Sequence, residues 1–405
     1  MPNEAPKPQS RLGGTLGILS FTVFLDLVGF GMILPLLPFY AERFGASAFQ
    51  VGLLFSAYSL AQFVSSPILG HLSDRLGRRP ILLVSILGGS GAYLLFALTQ
   101  GLTVLFIART LAGLAAGNYG IAQAYVADVT RPESRAKAMG WLGAAFGLGF
   151  IFGPALGGIL SYWGAAAVPL GAAVLSAGNF ILVWAWLPEP MRHSGAGGER
   201  PRGYRLDLDP LRSSAARASL VTLLTLYGVV IFGFSAMEAT LALFCEQRFD
   251  FGIRETSWLF VFVGVLMVLV QMGLVGHLVS RYGEGVLLLV SIVVMAAGLL
   301  FLGSVETVPT LLLATAFLAV GSGLHNPAAF SLMSRLAPAD SQGGVLGLAR
   351  SCGALARVAG PIWGGWSFHH LGSMWPFLSA GGLLAASAMV VLRLLPKLRF
   401  SSTSG

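Results

Sequence analysis

The sequence predicts an all-α polytopic membrane protein whose twelve transmembrane helices form two six-helix repeats. Hydrophobic residues make up 55% of the 405 residues and charged residues only 10%, and the mean hydropathy is +0.78, which excludes an ordinary soluble protein. Charge-poor segments recur at the length of about 20 residues that a helix needs to cross about 30 Å of hydrocarbon. Two short motifs also recur at nearly the same spacing in both halves of the chain. The strands of a membrane barrel would instead show alternating segments of about ten residues.

Twelve apolar segments have the length and composition of spans, and we number them 1 to 12 in chain order. Their predicted limits are 14–39, 50–72, 80–100, 103–127, 136–162, 165–187, 218–244, 255–279, 284–304, 308–334, 342–367 and 373–395. Span 1 is too long for a signal peptide and lacks a small-residue cleavage site, so we expect it to remain as a membrane helix.

The distribution of Lys and Arg predicts the orientation of these spans. With the amino terminus in the cytoplasm, 19 of the 25 basic residues fall on the cytoplasmic side. We therefore expect a multi-pass protein of the cell (inner) membrane with both termini cytoplasmic. The net charge of +8 follows from this topology, and no soluble domain carries a basic face for nucleic acid. We expect a monomer within the lipid bilayer and no nucleic-acid partner.

A long polar break divides the spans six and six. Residues 188–217 have the composition of a flexible cytoplasmic linker between an N-terminal half, 1–187, and a C-terminal half, 218–405. GHLSDRLG at residue 70 matches GHLVSRYG at 276, an offset of 206, and GPALGG at 153 matches GPIWGG at 360, an offset of 207. Two matches in register indicate an internal repeat, and many secondary transporters are built from such repeats, with substrate handled between them.

Enzyme chemistry is not indicated by any motif. The chain lacks the phosphate-binding pattern GxxxxGK[ST] and a cluster of metal ligands, and Cys245 and Cys352 have no metal-ligand spacing. His369 and His370 lie at the outer end of a span, where an interfacial position explains them. We expect no enzymatic activity, no metal site and no bound cofactor.

The loop GHLSDRLGRR between spans 2 and 3 resembles the signature of the major facilitator superfamily, and this resemblance covers essentially the whole chain. Span 5 has the spacing G-x8-G-x3-G-P-x2-G-G, which is similar to the antiporter motif of proton-coupled drug exporters, including tetracycline-type and multidrug exporters. Its residues are Gly140, Gly149, Gly153, Pro154, Gly157 and Gly158. The resemblance implies the twelve-helix major facilitator fold and a drug:proton antiporter driven by the proton gradient. Because small residues allow close helix approach, we expect this stripe to pack against a helix of the other half.

Two carboxylates at membrane depth predict proton coupling. Asp26, in LDLVGFGMILP of span 1, resembles the acidic motif of the same exporters, and Glu238 of span 7 is the equivalent candidate in the second half. A charged group at this depth costs at least about 2.5–3.5 kcal/mol, so burial favours the neutral acid. A static ion pair between Asp26 and Arg109 of span 4 is the competing structural interpretation. Arg109 also lies in a pattern that resembles the proton-transfer motif of this branch, so the predicted proton-coupling residues are Asp26, Glu238 and Arg109.

Other polar side chains at membrane depth are candidates for a substrate cavity, although hydrogen bonding between helices is the commoner role of such residues. They are Gln62, Asn118, Gln123, Asn179, Gln271, His325, Asn326 and Arg357. Arg350 and Arg357 share a face of span 11, seven residues apart. An arginine that faces the cavity would favour a substrate carrying negative charge or a metal chelate.

The charged loop between spans 2 and 3 predicts a conformational latch. Its residues, with the expected partner at the end of span 4, are Gly70, Asp74, Arg75, Gly77, Arg78, Arg79 and Asp128. By resemblance, Asp74 also meets the start of span 11, where a helix N-terminus favours an anion. In the copy at 276, Ser280 replaces Asp74 and Glu284 replaces Arg78, so we expect the second latch to lack its central acid.

Together these features predict a proton-coupled secondary active transporter that exports a small amphipathic compound or drug by alternating access. Its expected partners are protons and the small-molecule substrate. A nutrient symporter or uniporter and a lipid or lysolipid flippase of the same fold are the alternatives. Uptake that rises with external substrate would identify the first alternative, and lateral opening to bilayer lipid would identify the second.

Overall fold

A computed structural model describes residues 8–190, 217–337 and 342–400. Within these ranges the regular secondary structure is entirely helical. Hydrocarbon offers no water to bond backbone amides, and a helix satisfies these groups within one segment, so long apolar runs fold as helices. The predicted all-α class is confirmed.

Each predicted span of the first half corresponds to helical structure. Spans 1, 2, 3, 5 and 6 are Pro8–Glu42, Ala48–Leu76, Arg78–Ala97, Pro132–Leu160 and Ala167–Trp186. Span 4 consists of two helices, Leu102–Ala115 and Asn118–Val129, where the sequence predicts one continuous helix.

The second half repeats this plan. Span 7 is Arg217–Phe249, and span 8 comprises Ile253–Leu269, a π-helical turn at Val270–Leu274, and Val275–Tyr282. Spans 9 to 12 are Glu284–Leu302, Val308–Leu336, Gln342–Leu371 and Trp375–Phe400. By length and composition, eleven spans within the described ranges can cross a membrane; span 11 is not among them, although its helix is 30 residues long. Its two arginines and two histidines lower its hydropathy.

Two glycines at matching positions of the repeat end spans 2 and 8. Gly77 has a φ of 108° and Gly283 a φ of 79°, values that favour a residue without a side chain. Each glycine stops one helix and allows the next to start at the following residue. The matching turns show that the sequence repeat is also a repeat of backbone conformation.

Residue contacts divide the described chain into two compact units. The first contains residues up to Leu36 and from Ala61 to the end of the first half; the second contains Leu37–Leu60 and the described residues from Arg217 onward. In the first unit span 3 packs against span 6 and both helices of span 4. In the second, span 7 packs against spans 11 and 12, and span 9 against spans 10 and 12. Of the predicted linker, residues 191–216 lie outside the described residues, so the division at 188–217 stays a prediction.

Candidate functional site

The interruption of span 4 is held by side chains from span 2. Residues 116 and 117 separate its two helices. Nε2 of Gln62 donates a hydrogen bond to the carbonyl oxygen of Ala116 at 3.1 Å, and Oγ of Ser65 donates to that of Gly113 at 3.2 Å. Helix ends expose carbonyl groups that need partners, and these two side chains supply them. Gln62, predicted as a cavity residue, therefore stabilises the break.

Asn118, the first residue after this break, contacts Asp26. Its Nδ2 donates a hydrogen bond to Oδ1 of Asp26 at 2.7 Å. Asn118 is buried and Asp26 is partly buried. Oδ1 of Asn118 has no hydrogen-bond partner in the described part of the chain. Arg109 is buried on the first helix of span 4, and an ion pair between Arg109 and Asp26 stays a prediction.

Aromatic rings extend from this acid across three spans. Phe30 follows Asp26 by one helical turn, and its ring centroid lies 6.0 Å from that of Phe150 in span 5. Phe146 lies 5.3 Å from Phe150 and 5.2 Å from Tyr119 of span 4. Rings at such distances attract one another. The first half thus places one carboxyl group one helical turn from a cluster of tilted aromatic rings.

The glycine stripe of span 5 packs against span 1. A Cβ added to Gly153 would lie 2.8 Å from both Cα of Gly31 and the carbonyl oxygen of Val28. One on Gly157 would lie 3.1 Å from the carbonyl oxygen of Met32. These distances leave no room for a side chain, so the two backbones touch. The stripe therefore contacts span 1 of its own half, in the stretch that follows the acid, where the sequence predicts a helix of the other half.

The other motif residues differ in their surroundings. A Cβ on Gly149 would collide with the side chain of Leu27, and Pro154 contributes to the same contact with span 1. Gly158 is buried. Gly140, by contrast, has no atom within 4 Å of an added Cβ. Close packing thus involves the carboxyl-terminal part of the motif.

Span 11 makes the same contact with span 7 in the second half. A Cβ on Gly360 would lie 2.5 Å from the carbonyl oxygen of Phe232, and one on Gly364 would lie 2.7 Å from that of Ala236. The matching pairs of the first half are Gly153 with Val28 and Gly157 with Met32. Span 5 therefore maps onto span 11 with an offset of 207, and span 1 maps onto span 7 with an offset of 204.

This mapping places the two predicted acids at different positions of the repeat. Asp26 corresponds to Val230, and Glu238 corresponds to Leu34. The two acids therefore differ by eight residues in the repeat, which is about 12 Å along a helix at about 1.5 Å per residue. Glu238 is therefore not the equivalent of Asp26. The internal repeat alone gives no reason to assign the role of Asp26 to Glu238.

A buried histidine marks a polar cluster in the second half. His325 of span 10 is 2% exposed; its Nδ1 lies 3.3 Å from Oγ of Ser291, and its ring stacks on Tyr227 of span 7 with centroids 5.9 Å apart. Neither Nε2 of His325 nor Oδ1 of Asn326 has a hydrogen-bond partner among the described residues. These two buried polar atoms remain available to a ligand or water.

Two exposed arginines of span 11 act on this cluster. Tyr227 interacts electrostatically with both Arg350 and Arg357, and Arg357 also interacts with the partly buried Glu238. The salt bridges found in the described ranges do not include a pair between Glu238 and Arg357. Arg357 therefore interacts with both Tyr227 and Glu238, whereas Arg350 interacts with Tyr227.

The remaining predicted cavity residues have varied positions. Asn179 is buried, and its Nδ2 donates to the carbonyl oxygen of Thr22 at 3.2 Å, which ties span 6 to span 1. Gln123 is partly buried on the second helix of span 4. Gln271 is exposed in the π-helical turn of span 8, a type of distortion that often occurs at functional sites.

Arg78 is the centre of the charged loop between spans 2 and 3. Its guanidinium lies 2.5 Å from Asp74 and 2.8 Å from Asp128, the partner that the sequence suggests. It also donates to Oγ of Ser73 at 2.8 Å. This network joins spans 2, 3 and 4 at one end of the first unit. The contact expected between Asp74 and the start of span 11 stays a prediction, because residues 338–341 lie outside the described ranges.

Glu189 belongs to the same network, although it is not among the residues that the sequence predicts for the latch. Its carboxylate accepts hydrogen bonds from the backbone N–H groups of Arg78, at 2.7 Å, and Arg79, at 3.0 Å. An acid at a helix N-terminus satisfies amides that lack partners within the helix and interacts favourably with the helix dipole. A Cβ on Gly77 would lie 2.7 Å from this carboxylate, so the glycine makes room for it. Its position two residues after an apolar span is the only sequence signal of this role.

The second half retains the central ion pair with its charges exchanged. Glu284 accepts hydrogen bonds from Arg335 at 2.8 and 2.9 Å and from Ser331 at 3.3 Å. Glu284 matches Arg78 at an offset of 206, and Arg335 matches Asp128 at an offset of 207. The copied loop lacks the central acid, as the sequence shows, but the ion pair between spans persists with reversed sign.

A family model described as Major Facilitator Superfamily matches residues 19–361 and 253–403. The chain belongs to the major facilitator superfamily. Tetracycline resistance protein class C of Escherichia coli is 31% identical over 357 residues, 87% of this chain and 89% of that protein. Multidrug resistance protein 2 of Bacillus subtilis is 31% identical over 376 residues, 90% of this chain and 91% of that protein. The crystal structure of the human organic anion transporter MFSD10 matches with a TM-score of 0.71 and 26% identity, covering 96% of this chain and 100% of that chain.

Membership of the superfamily decides the general function. The all-α major facilitator fold, the long apolar helices and these relatives identify a multi-pass membrane transporter and not an enzyme. The relatives in the drug-exporter branch also agree with the resemblance carried by the loop and the glycine stripe.

Proposed function

We propose that this chain is a proton-coupled exporter of a small amphipathic compound, with Asp26 as the proton-exchanging group. The observation that carries the proposal is the hydrogen bond between Asp26 and Asn118 at the interruption of span 4. An isolated acid in an apolar helix is expensive unless it has a partner or a function. The amide of Asn118 donates a hydrogen bond to the carboxyl group of Asp26 without adding a charge beside it.

Asn118 can form a hydrogen bond with Asp26 in both the ionised and the protonated state of the acid. An amide carries two N–H donors and one carbonyl acceptor. The carboxylate accepts from Nδ2 at 2.7 Å, as observed, and a protonated acid can donate to Oδ1, which has no other partner in the described part of the chain. Rotation of one amide thus keeps the acid hydrogen-bonded before and after proton transfer.

Coupling then requires that proton and substrate favour opposite arrangements of the transporter. In the proposed cycle, substrate binds while Asp26 is ionised, and protonation of Asp26 favours the arrangement that has released the substrate. A ligand shifts a conformational equilibrium only by its difference in affinity for the two states. Inward proton movement would in this way drive outward substrate movement.

The substrate chemistry is suggested by both halves. The aromatic rings near Asp26 suit a planar apolar moiety. The two arginines near Tyr227 favour a substrate that carries negative charge or a metal chelate. Relatives named as tetracycline resistance proteins, a multidrug resistance protein and an organic anion transporter are consistent with this combination.

The proposed location is the cell (inner) membrane, with both termini cytoplasmic and the protein acting as a monomer. The distribution of basic residues supports the orientation.

A gradient-driven transport assay tests this function. A growth-inhibition panel in an efflux-deficient host, started with tetracycline, selects a substrate, and purified protein in liposomes is then given a pH gradient. We expect the wild type to concentrate the substrate against its gradient and Asp26→Asn to lose this response while it still equilibrates the substrate. Glu306→Gln, which neutralises an acid with a side chain 79% exposed, is the matched control and should behave as wild type. Unchanged gradient-driven transport in Asp26→Asn would overturn the proposal.

A further inference from the structure

A groove of about 620 Å³ runs along the second unit between spans 7, 11 and 12. Span 7 lines it with residues between 221 and 232, span 11 contributes Leu355 and Ala359, and span 12 contributes Leu383. Leu355 is 53% exposed and Leu383 is 40% exposed, so the groove opens onto the surface of this unit.

The lining of this groove is apolar. Thr225 and Cys352 carry its polar side-chain atoms. Oγ1 of Thr225 already donates a hydrogen bond to the carbonyl oxygen of Val221 at 2.9 Å. Gly228 has no side chain, and a Cβ added to it would lie 3.9 Å from Cβ of Cys352, so space remains beside it. Such a lining suits a hydrocarbon chain, which buries apolar surface and needs no hydrogen bonds.

The groove lies away from the arginines of span 11. Leu355 and Ala359 lie two residues on either side of Arg357, and two residues of an α-helix correspond to a rotation of about 200°. The groove therefore lies on the face of span 11 opposite Arg357. It is distinct from the polar cluster around His325.

One end of the groove carries a positive charge. Arg217 is the first helical residue of span 7, and it is exposed. It precedes Val221 by four residues and Gly228 by eleven, which places it within about 40° of both around the helix axis. Arg217 therefore shares the face of span 7 that lines the groove. A guanidinium group matches the geometry of a phosphate.

The length of the groove matches one leaflet of a bilayer. Residues 221 to 232 extend about 16 Å along span 7 at about 1.5 Å per residue. Half of a hydrocarbon core of about 30 Å is about 15 Å. A lipid whose phosphate lies at Arg217 can therefore place one acyl chain along the whole groove.

We propose that this groove binds one anionic phospholipid, with an acyl chain between spans 7, 11 and 12 and the headgroup phosphate at Arg217. In the orientation proposed above, Arg217 lies at the cytoplasmic surface, where anionic lipids attract basic residues. A zwitterionic lipid carries the same phosphate together with a positive group that Arg217 repels, so the site prefers an anionic headgroup. The inference goes beyond the exporter proposal and needs neither proton coupling nor a particular substrate.

Lipid binding to the purified full-length protein in detergent tests the site. Native mass spectrometry counts bound dioleoyl phosphatidylglycerol and, in a separate titration, bound dioleoyl phosphatidylcholine. We expect the wild type to bind one phosphatidylglycerol at a concentration about fivefold lower than that needed for phosphatidylcholine, the ratio expected from one arginine beside an anionic headgroup. Equal binding of the two lipids would show only a non-specific lipid shell and would overturn the inference.

Neutral variants of two arginines test the headgroup contact. Arg217→Gln should lose the fivefold preference for phosphatidylglycerol. Arg393→Gln is the matched control and should keep it, because Arg393 is also exposed near the cytoplasmic end of its span. Arg393 follows Leu384, which packs on Gly233 of span 7, by nine residues, or about 180° around the helix, so it faces away from span 7. An equal loss in both variants would assign the preference to general surface charge and contradict the site.

A larger side chain in the groove tests the acyl-chain contact. Gly228→Leu should weaken binding of both lipids by about tenfold or more, the factor expected when two methylene groups lose their burial. Gly382→Leu is the control and should bind lipid as the wild type does, because Gly382 is exposed on span 12 and an added Cβ has no atom within 4 Å.

The outcome for Gly228→Leu also distinguishes lipid from substrate. Unchanged lipid binding in this variant would overturn the inference, and so would a loss of tetracycline binding while lipid binding persists, since the groove would then belong to the substrate. Thermal unfolding in lipid-free detergent checks that the variant is folded. Because Arg217 is exposed, Arg217→Gln tests the site even if Gly228→Leu does not fold.

Discussion

Substitution of Gly153 by alanine should separate spans 1 and 5. The added Cβ would lie 2.8 Å from Cα of Gly31 and from the carbonyl oxygen of Val28, whereas ordinary contacts begin at 3.4 Å. The helices must therefore move apart by about 0.6 Å, because both obstructing atoms belong to the backbone. Overpacking of this kind costs about 1–3 kcal/mol.

A second glycine of the same helix provides the matched control. Alanine is favoured over glycine inside a helix by about 0.5–1 kcal/mol, and this gain applies equally to Gly153→Ala and Gly140→Ala. Because an added Cβ on Gly140 has no atom within 4 Å, the two variants should differ by the overpacking cost alone, about 1–3 kcal/mol. The assay is thermal unfolding in mild detergent, followed by transport in liposomes. Equal unfolding of the two variants would refute the assignment of the stripe to a backbone contact with span 1.

Three further substitutions probe the contacts around the acid and the charged loops. Asn118→Ala removes the donor to Asp26 and should reduce proton-driven transport while expression and folding persist; transport at the wild-type rate would remove Asn118 from the mechanism. Glu284→Arg places two positive groups together and should lower stability by about 1 kcal/mol, since the partner Arg335 is largely exposed, and adding Arg335→Glu should restore it; thermal unfolding of both variants measures the coupling. Glu189→Ala removes the acceptor at the start of span 3 and should cost about 1 kcal/mol in the same assay; no change would mean that water replaces the carboxylate.

The spans are the part of the fold that sequence predicts best. Hydropathy summed over about 20 residues detects a membrane helix because the bilayer selects on total apolar length. The same sum cannot detect the break at residues 116 and 117, because hydropathy depends on residue types and not on backbone conformation. It also undervalues span 11, whose arginines and histidines lower its hydropathy although a helix forms there.

The candidate site was predictable where one residue is unusual by itself. Asp26 stands out as a lone acid in an apolar run, but its partner Asn118 depends on how spans 1 and 4 pack, which no local pattern contains. Glu189 is concealed because it follows a span within a stretch that has the composition of a linker.

The exchanged ion pair was visible in principle. Comparison of the two halves at offsets of 206 and 207 places Glu284 opposite Arg78 and Arg335 opposite Asp128, with both signs reversed. A search for identical residues overlooks such a pair, because what the repeat retains is the attraction and not the residue types.

The most direct test of the central claim is proton release on substrate binding. Purified protein in weakly buffered detergent solution is mixed with the substrate selected by the growth panel, and a pH indicator records the protons released. We expect the wild type to release protons because substrate binding displaces the proton of Asp26, and we expect Asp26→Asn to bind substrate without this release. Equal proton release by the two proteins would show that the exchanged proton resides elsewhere.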